Sequence, residues 1–369
     1  MAAIQEKEIQ EPCAKRVKTE QKIDLTTLAR AHPHPRDAEI LFDEPSHVYS
    51  LRSEPCTFLD AAASSASCPP PFFSIDAAMA GSCSSAVALP PLVSVTTLNH
   101  QFFEEFDADR IITKMMLGRD WKNSPYFGQT REQIKDEWER NRKEAADLGT
   151  QMHSAIEHYY NAVGEQQLKQ VRAMLPESPE FQQFFLKDFL RDWGHLKPFR
   201  TEWRIWDAES RVAGSIDMVF CDPLRPGWHY IFDWKRNKKI DPAENWRRYG
   251  KPPLDGVLDT NYWHHALQLS VYQEILERVY GFKISGRSLI CLYPANQSYQ
   301  KFDVPYLGPQ VKALLAHRRA QWIADYQEKQ QQQQHQNEQN QNGQNQNDAE
   351  AQGGGDEAGQ QWPDGNPFL

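Results

Sequence analysis

Gly214-Ser215-Ile216-Asp217 and, across a turn, Asp233-Trp234-Lys235 are the residues whose reading decides the fold. Val212, Gly214, Ile216, Met218 and Phe220 alternate along one face of a predicted strand, and Asp217 lies opposite with Ala213, Ser215 and Val219. Tyr230 to Lys235 alternates in the same way, so Asp233 and Lys235 share a face. Between the two runs, Asp222-Pro223 and Pro226-Gly227 supply turn chemistry, which predicts a hairpin. The pairing gathers two carboxylates and one ammonium into a single patch. Carboxylates a few ångströms apart repel each other, so such a pair calls for a divalent cation. A surface ion pair is the plainer reading of Asp-x-Lys. However, Ile231, Phe232 and Trp234 make the run apolar enough to lie inside a sheet, where carboxylates need partners.

Two further stretches supply those partners. Gly149-Thr150-Gln151-Met152-His153 reads as a helix start, with Thr150 as N-cap and Gly164 as terminator, and His153 and Glu157 stand one turn apart. Asn261 to Tyr280 reads as an amphipathic helix ended by Gly281, with Leu267, Val271, Ile275 and Val279 as its buried stripe. Gln268 and Tyr272 sit on the margin of that stripe, one turn apart. Taken singly, each pair also fits ordinary surface or core-edge packing.

In their order, the four blocks resemble the RecB-like branch of the PD-(D/E)XK nuclease superfamily. That branch carries GTxxHxxIE, GxxD, DxK and QxxxY, met here by Gly149, Thr150, His153 and Glu157; Gly214 and Asp217; Asp233 and Lys235; Gln268 and Tyr272. The resemblance spans roughly residues 147 to 293. More loosely, Val93 to Trp121 resembles the lead-in of RecB-like exonucleases of large DNA viruses and protists, with the mitochondrial genome maintenance exonuclease a more distant relative. The resemblance implies an α/β core, a central mixed sheet flanked by helices, with a helical N-terminal subdomain from about 93 to 165. It implies metal ligation by His153, Asp217, Asp233 and the carbonyl of Trp234, and Lys235 as the catalytic lysine beside the scissile phosphate. Gln268 and Tyr272 would position the nucleic-acid backbone. Glu157 would orient His153, and Glu202, on an alternating strand from Phe199 to Trp206, is a further candidate that reads more simply as an ion-pair partner.

A phosphodiester is anionic, so its hydrolysis asks for positive charge at the non-bridging oxygens and an activated water, both of which a bound Mg²⁺ (or Mn²⁺) provides. Oxygen-rich ligation favours Mg²⁺, and one imidazole makes Mn²⁺ competitive. The expected activity is hydrolysis of DNA, as an exonuclease, with a catalytically silent nuclease fold that binds nucleic acid or a partner as the alternative. A carboxylate-pair glycosidase would leave Lys235 and the His153 helix unexplained.

The 369 residues carry a net charge of −9, which is unusual for a protein that handles a polyanion. Local basic residues must compensate: Lys235-Arg236-Asn237-Lys238-Lys239 continues from the active strand, and Arg247, Arg248 and Lys251 follow, interleaved with Trp246 and Tyr249. Arg236 and Lys238 are the expected substrate contacts. Six cysteines without a Cys-x-x-Cys argue against a zinc ribbon and against a Cys-ligated iron–sulfur cluster. No apolar run is long enough to suggest a membrane span.

The breaks divide the chain into a disordered tail over 1–45, a strand and an Ala/Ser/Pro-rich insertion over 46–92, a nuclease domain over 93–327 and a disordered Gln/Asn-rich tail over 328–369. The Ser288 to Tyr293 strand after the Gln268 helix makes a β-α-β crossover. Within the first tail, Pro12-Cys13-Ala14-Lys15-Arg16-Val17-Lys18 resembles a Myc-type nuclear import signal, implying an import receptor as partner and the nucleus as address.

Overall fold

A computed structural model describes residues 23–52, 89–243 and 248–353, with side chains as far as 343. Strands β1 (Ile40–Asp43) and β2 (Val48–Leu51) form a small antiparallel hairpin. The main sheet holds six strands: β3 (Val93–Ser94), β4 (Pro198–Asp207), β5 (Val212–Cys221), β6 (Trp228–Lys235), β7 (Lys283–Cys291) and β8 (Gln300–Asp303). β4 pairs antiparallel along nearly all of β5. The other edge of β5 is shared, with β3 parallel to it at Val212 and Ala213 and β6 antiparallel to it from Met218 to Cys221. β6 and β7 run parallel, joined by the helix Asn261–Arg278, and β8 closes the sheet antiparallel to β7. The sheet is therefore mixed and flanked by helices, as the motif order implies.

One point in this topology creates the site. β5 and β6 pair only from Met218↔Phe232 onward, and β3 leaves β5 after Ala213. Between these contacts the edge of β5 around Asp217 has no strand partner among the described residues, so the sheet opens there. On one side, Met218, Phe220, Phe232 and Trp234 pack with Met152, Ile156, Phe185 and Phe189 from helical segments. On the other, Val219, Ile231 and Leu289 pack with Leu267, Val271 and Ile275 of the Gln268 helix. By alternation from Val219 and Ile231, Asp217, Asp233 and Lys235 belong to this second side.

Several expectations are corrected. A single helix, Arg131–Asn161, runs straight through Gly149 and Thr150, so Thr150 caps nothing and the N-cap is Thr130. Thr130 Oγ1 accepts from Gln133 N at 3.3 Å while Gln133 Oε1 accepts from Thr130 N at 2.8 Å, the reciprocal pair of a capping box. A mid-helix glycine costs only about 1 kcal/mol, too little to break 31 residues anchored at both ends. Gly164 has φ +75 and opens the next helix, Gly164–Met174. The Gln268 helix is buried on most of its circumference rather than along one stripe.

Residues 23–45 are folded, contrary to the expected tail. Asp37 pairs with Arg200 at 2.7 Å and accepts from Trp203 Nε1 at 2.9 Å, while Arg36 lies 3.6 Å over the Trp206 ring. These polar anchors hold the segment to β4 without hydrophobic periodicity. The expected disordered tail from 328 is also corrected, because the helix Gly308–Gly353 continues through it. Val311, Leu314, Leu315, Trp322 and Tyr326 dock its first turns. Gln and Glu are good helix formers that propagate it once nucleated. The import-like motif, Trp246, Arg247 and most of the Ala/Ser/Pro-rich insertion lie outside the described residues.

Candidate metal centre

Where β5 and β6 part, Asp217 Oδ2 accepts the Trp234 backbone N–H at 2.8 Å, a bond that a ladder carbonyl would otherwise receive. The same oxygen lies 3.5 Å from His153 Nδ1, and Glu202 Oε1 lies 3.7 Å from that nitrogen. His153, Glu202 and Asp217 each offer a ligand atom within 4.8 Å of the others, the set among the described residues suited to holding a cation. Glu202 arrives from β4, facing Asp217 between the pairs Thr201↔Met218 and Trp203↔Ile216. Its φ is +42, inside a strand and without a glycine, and Ser215 Oγ donates to its Oε2 at 3.0 Å. Such backbone strain is retained at sites that use it.

Asp233 is almost fully buried, and Lys235 Nζ approaches its Oδ2 at 2.6 Å. Its Oδ1 has no hydrogen-bond partner among the described residues. The Trp234 carbonyl, expected as a ligand, accepts from His153 Nε2–H at 2.9 Å. That bond fixes the ring and leaves Nδ1 facing the carboxylates, the orienting arrangement that metal-bound histidines use.

A family model of the PD-(D/E)XK nuclease superfamily matches residues 125–357, more than half of the chain. This chain belongs to that superfamily. No curated protein matches it. A PD-(D/E)XK nuclease hydrolyses nucleic acid with a divalent metal ion, and the donor set here fits one: an imidazole nitrogen, two convergent carboxylates and an orphaned carboxylate oxygen on Asp233. No helix among the described residues is long and apolar enough to cross a membrane.

The electrostatics of this PD-(D/E)XK site show what a cation must replace. Burial, then the charge of Asp233, push the Asp217 carboxyl up to about 7. Burial disfavours the charged imidazole of His153, but Asp217 and Glu202 outweigh it and raise that group to about 9. The protons on these groups stand where positive charge is wanted. Because His153 is raised, it is protonated below about pH 9 and must release that proton before Nδ1 can act as a ligand. Apparent Mg²⁺ or Mn²⁺ affinity is therefore expected to rise with pH from 7 to 9, by up to ~tenfold per unit for each proton displaced. Calorimetric titration in two buffers of different ionisation enthalpy measures that release, and a proton count of zero at pH 8 would contradict it. Glu157, one turn along from His153, is raised to about 7 by burial and then by Glu202, so it borders the cluster without entering it.

Tyr272 is buried away from the surface where a substrate contact was expected, and Gln268 lies half-buried beside it. Tyr272 is 3 % exposed and accepts a hydrogen bond from Gln268 Nε2 at 2.9 Å, so its ring has no face open to a base. It lies across Gly214: a Cβ there would stand 2.5 Å from Tyr272 Cε1 and 3.0 Å from the hydroxyl. That contact explains the glycine of the GxxD block. Gly214→Ala is expected to lower stability by about 1–3 kcal/mol through overpacking beside Asp217. A urea midpoint no lower than that of the parent would show that the ring shifts freely.

Arg236 is likewise not free for substrate. It pairs with Glu180, which is 4 % exposed, at 3.0 Å and lies over the Tyr293 ring. Lys238 is exposed, while Arg248 pairs with Asp259 at 3.4 Å. Sequence reasoning missed His265, one turn before Gln268, whose Nε2 is buried with no hydrogen-bond partner among the described residues. Burial and then the Lys235 charge hold it down to about 4, so it is a neutral imidazole beside the Asp233–Lys235 pair. Its spacing of three from Gln268 was the available signal.

Proposed function

We propose that this chain is a Mg²⁺- or Mn²⁺-dependent exonuclease of the RecB-like kind, acting on DNA in replication, recombination or repair. The observation that carries this reading is the convergence of His153, Glu202 and Asp217 beside the Asp233–Lys235 pair. His153, Glu202, Asp217 and Asp233 would hold the ion, which when bound supplies charge to the phosphoryl oxygens and a lowered pKa for water. The chain's own residues do the rest. Asp233 holds Lys235 with its ammonium in the cleft. Burial opposes that charge, yet Asp233 and Asp217 raise the lysine above its ordinary value, so it stays cationic and stabilises the developing phosphorane charge. Lys235 therefore positions the phosphate and water and does not take up the proton. The order of the four sequence blocks supports the RecB-like assignment.

The test is digestion of end-labelled single-strand, duplex and flap DNA, with matched RNA, under Mg²⁺ and Mn²⁺ titration. Stepwise mononucleotide release, absent with chelator and absent on closed circles, is expected. Cleavage of closed circles would replace the exonuclease reading with an endonuclease.

Residues 12–18 support a nuclear address for the enzyme. Residues 1–25 fused to a reporter too large for passive entry are expected to bring it into the nucleus, and Lys15→Ala/Arg16→Ala to abolish this. Equal cytoplasmic distribution of both fusions would remove the import proposal.

A further inference from the structure

At the far end of the His153 helix lies a cavity of about 470 Å³, whose walls include Tyr159, Tyr160, Arg172, Lys187 and Arg191. Its lining residues hold three cations and no carboxylate, in a chain whose net charge is −9. Arg191 is partly neutralised by Asp192 at 2.8 Å and Asp188 at 3.4 Å. Arg172 and Lys187 have no carboxylate within ion-pair distance among the described residues, and the Arg172 guanidinium sits 6.0 Å over the Tyr159 ring. The Tyr160 hydroxyl is buried with no hydrogen-bond partner among the described residues, a donor lacking an acceptor. Lys187 and Leu186 come from Glu180–Phe189, which is π-helical, a rare conformation that recurs at functional sites.

These groups ask for an anion with several acceptor oxygens. Tyr160 stands seven residues beyond His153, two turns along the same helical face, or ~10 Å. At a rise of ~3.4 Å per nucleotide, that is about three nucleotides of a strand. We propose that this cavity is a phosphate subsite, holding the backbone of the nucleic-acid strand a few nucleotides from the bond being cleaved. The inference rests on the nuclease reading and names residues that give it grip on the substrate outside the metal centre. Arg172 and Lys187, both exposed on the cavity's lining, carry the phosphate.

The experiment pairs two measurements on the full chain, with Arg172→Ala/Lys187→Ala against the parent and a Lys143→Ala control. In EDTA, anisotropy of a labelled single-stranded oligonucleotide gives the slope of log affinity against log salt. The double variant is expected to lose ~0.7 from that slope for each phosphate contact removed, while Lys143→Ala keeps it. With metal, KM for oligonucleotide is expected to rise several-fold at unchanged kcat, while hydrolysis of bis(4-nitrophenyl) phosphate, too small to reach the cavity, stays the same. An unchanged slope and KM overturn the subsite. Displacement of bound oligonucleotide by a 5′-mononucleotide from the parent but not from the double variant also overturns it, making the cavity a free-nucleotide site. A parent that hydrolyses neither substrate sinks the nuclease reading, and the EDTA measurement still decides the cavity.

Discussion

Replacing Lys235 by alanine is expected to lower the single-turnover cleavage rate by ~10² to 10³-fold at saturating metal, the range lost with one fixed donor aimed at developing charge. The argument starts from the 2.6 Å contact between Nζ and Asp233 Oδ2 at the end of β6. The two carboxylates raise the lysine against the effect of burial, so the charge is present throughout the physiological range. Its loss removes the fixed cation opposite the phosphate and leaves a buried aspartate without its partner. That second consequence costs stability, about 3–5 kcal/mol for an uncompensated buried charge, so alanine alone confuses two effects. Lys235→Arg separates them. It keeps the charge and is expected to keep most of the thermal stability, yet a planar guanidinium cannot take the place of a compact ammonium, and cleavage stays low. Near-parental rates in an arginine variant that melts normally would show that only charge is needed; near-parental rates in a folded alanine variant would remove Lys235 from the chemistry.

Much of this site was legible because its determinants are local. Alternation along 212–220 and 230–235, the turn at 222–227 and the glycine after the Gln268 helix each act within a few residues. They led to the hairpin, the Asp-x-Lys face and the crossover into β7. What could not be read is decided by contacts distant in sequence. Asp37, Arg200 and Trp203 meet across more than 160 positions, so a polar segment without periodicity folds onto β4. Tyr272 lies on the margin of a helical stripe by spacing, but Gly214 opens a hole in β5 that buries it. Arg236 reads as a free cation until Glu180 is brought beneath it. In each case the side chain is chosen for a partner that no window of sequence contains.

Glu202 is the sharpest instance, and its replacement is the second large effect expected. The sequence reading kept it as a weaker candidate for the cleft and favoured an ion-pair partner, because a glutamate on an alternating strand is ordinarily one. In the fold it faces Asp217 across β4 and β5, 3.7 Å from His153 Nδ1, held by Ser215 and by a backbone in the left-handed region. Glu202→Gln is expected to raise the Mg²⁺ or Mn²⁺ concentration for half-maximal activity by ~10 to 100-fold, with partial rescue at saturating metal. Glu157→Gln, outside the cluster, is expected to move it much less. Glu202→Gly adds the decisive contrast. A strained non-glycine backbone costs about 1–3 kcal/mol, which glycine relieves, against roughly 0.5–1 kcal/mol for its greater freedom when unfolded. The glycine variant is therefore expected to be at least as stable as the parent in urea while binding the cation as poorly as the glutamine variant. Stability and metal affinity falling together would instead return Glu202 to an ion-pair role. Moving in opposite directions, they would identify a residue whose strained position in the fold is maintained for the ion it holds.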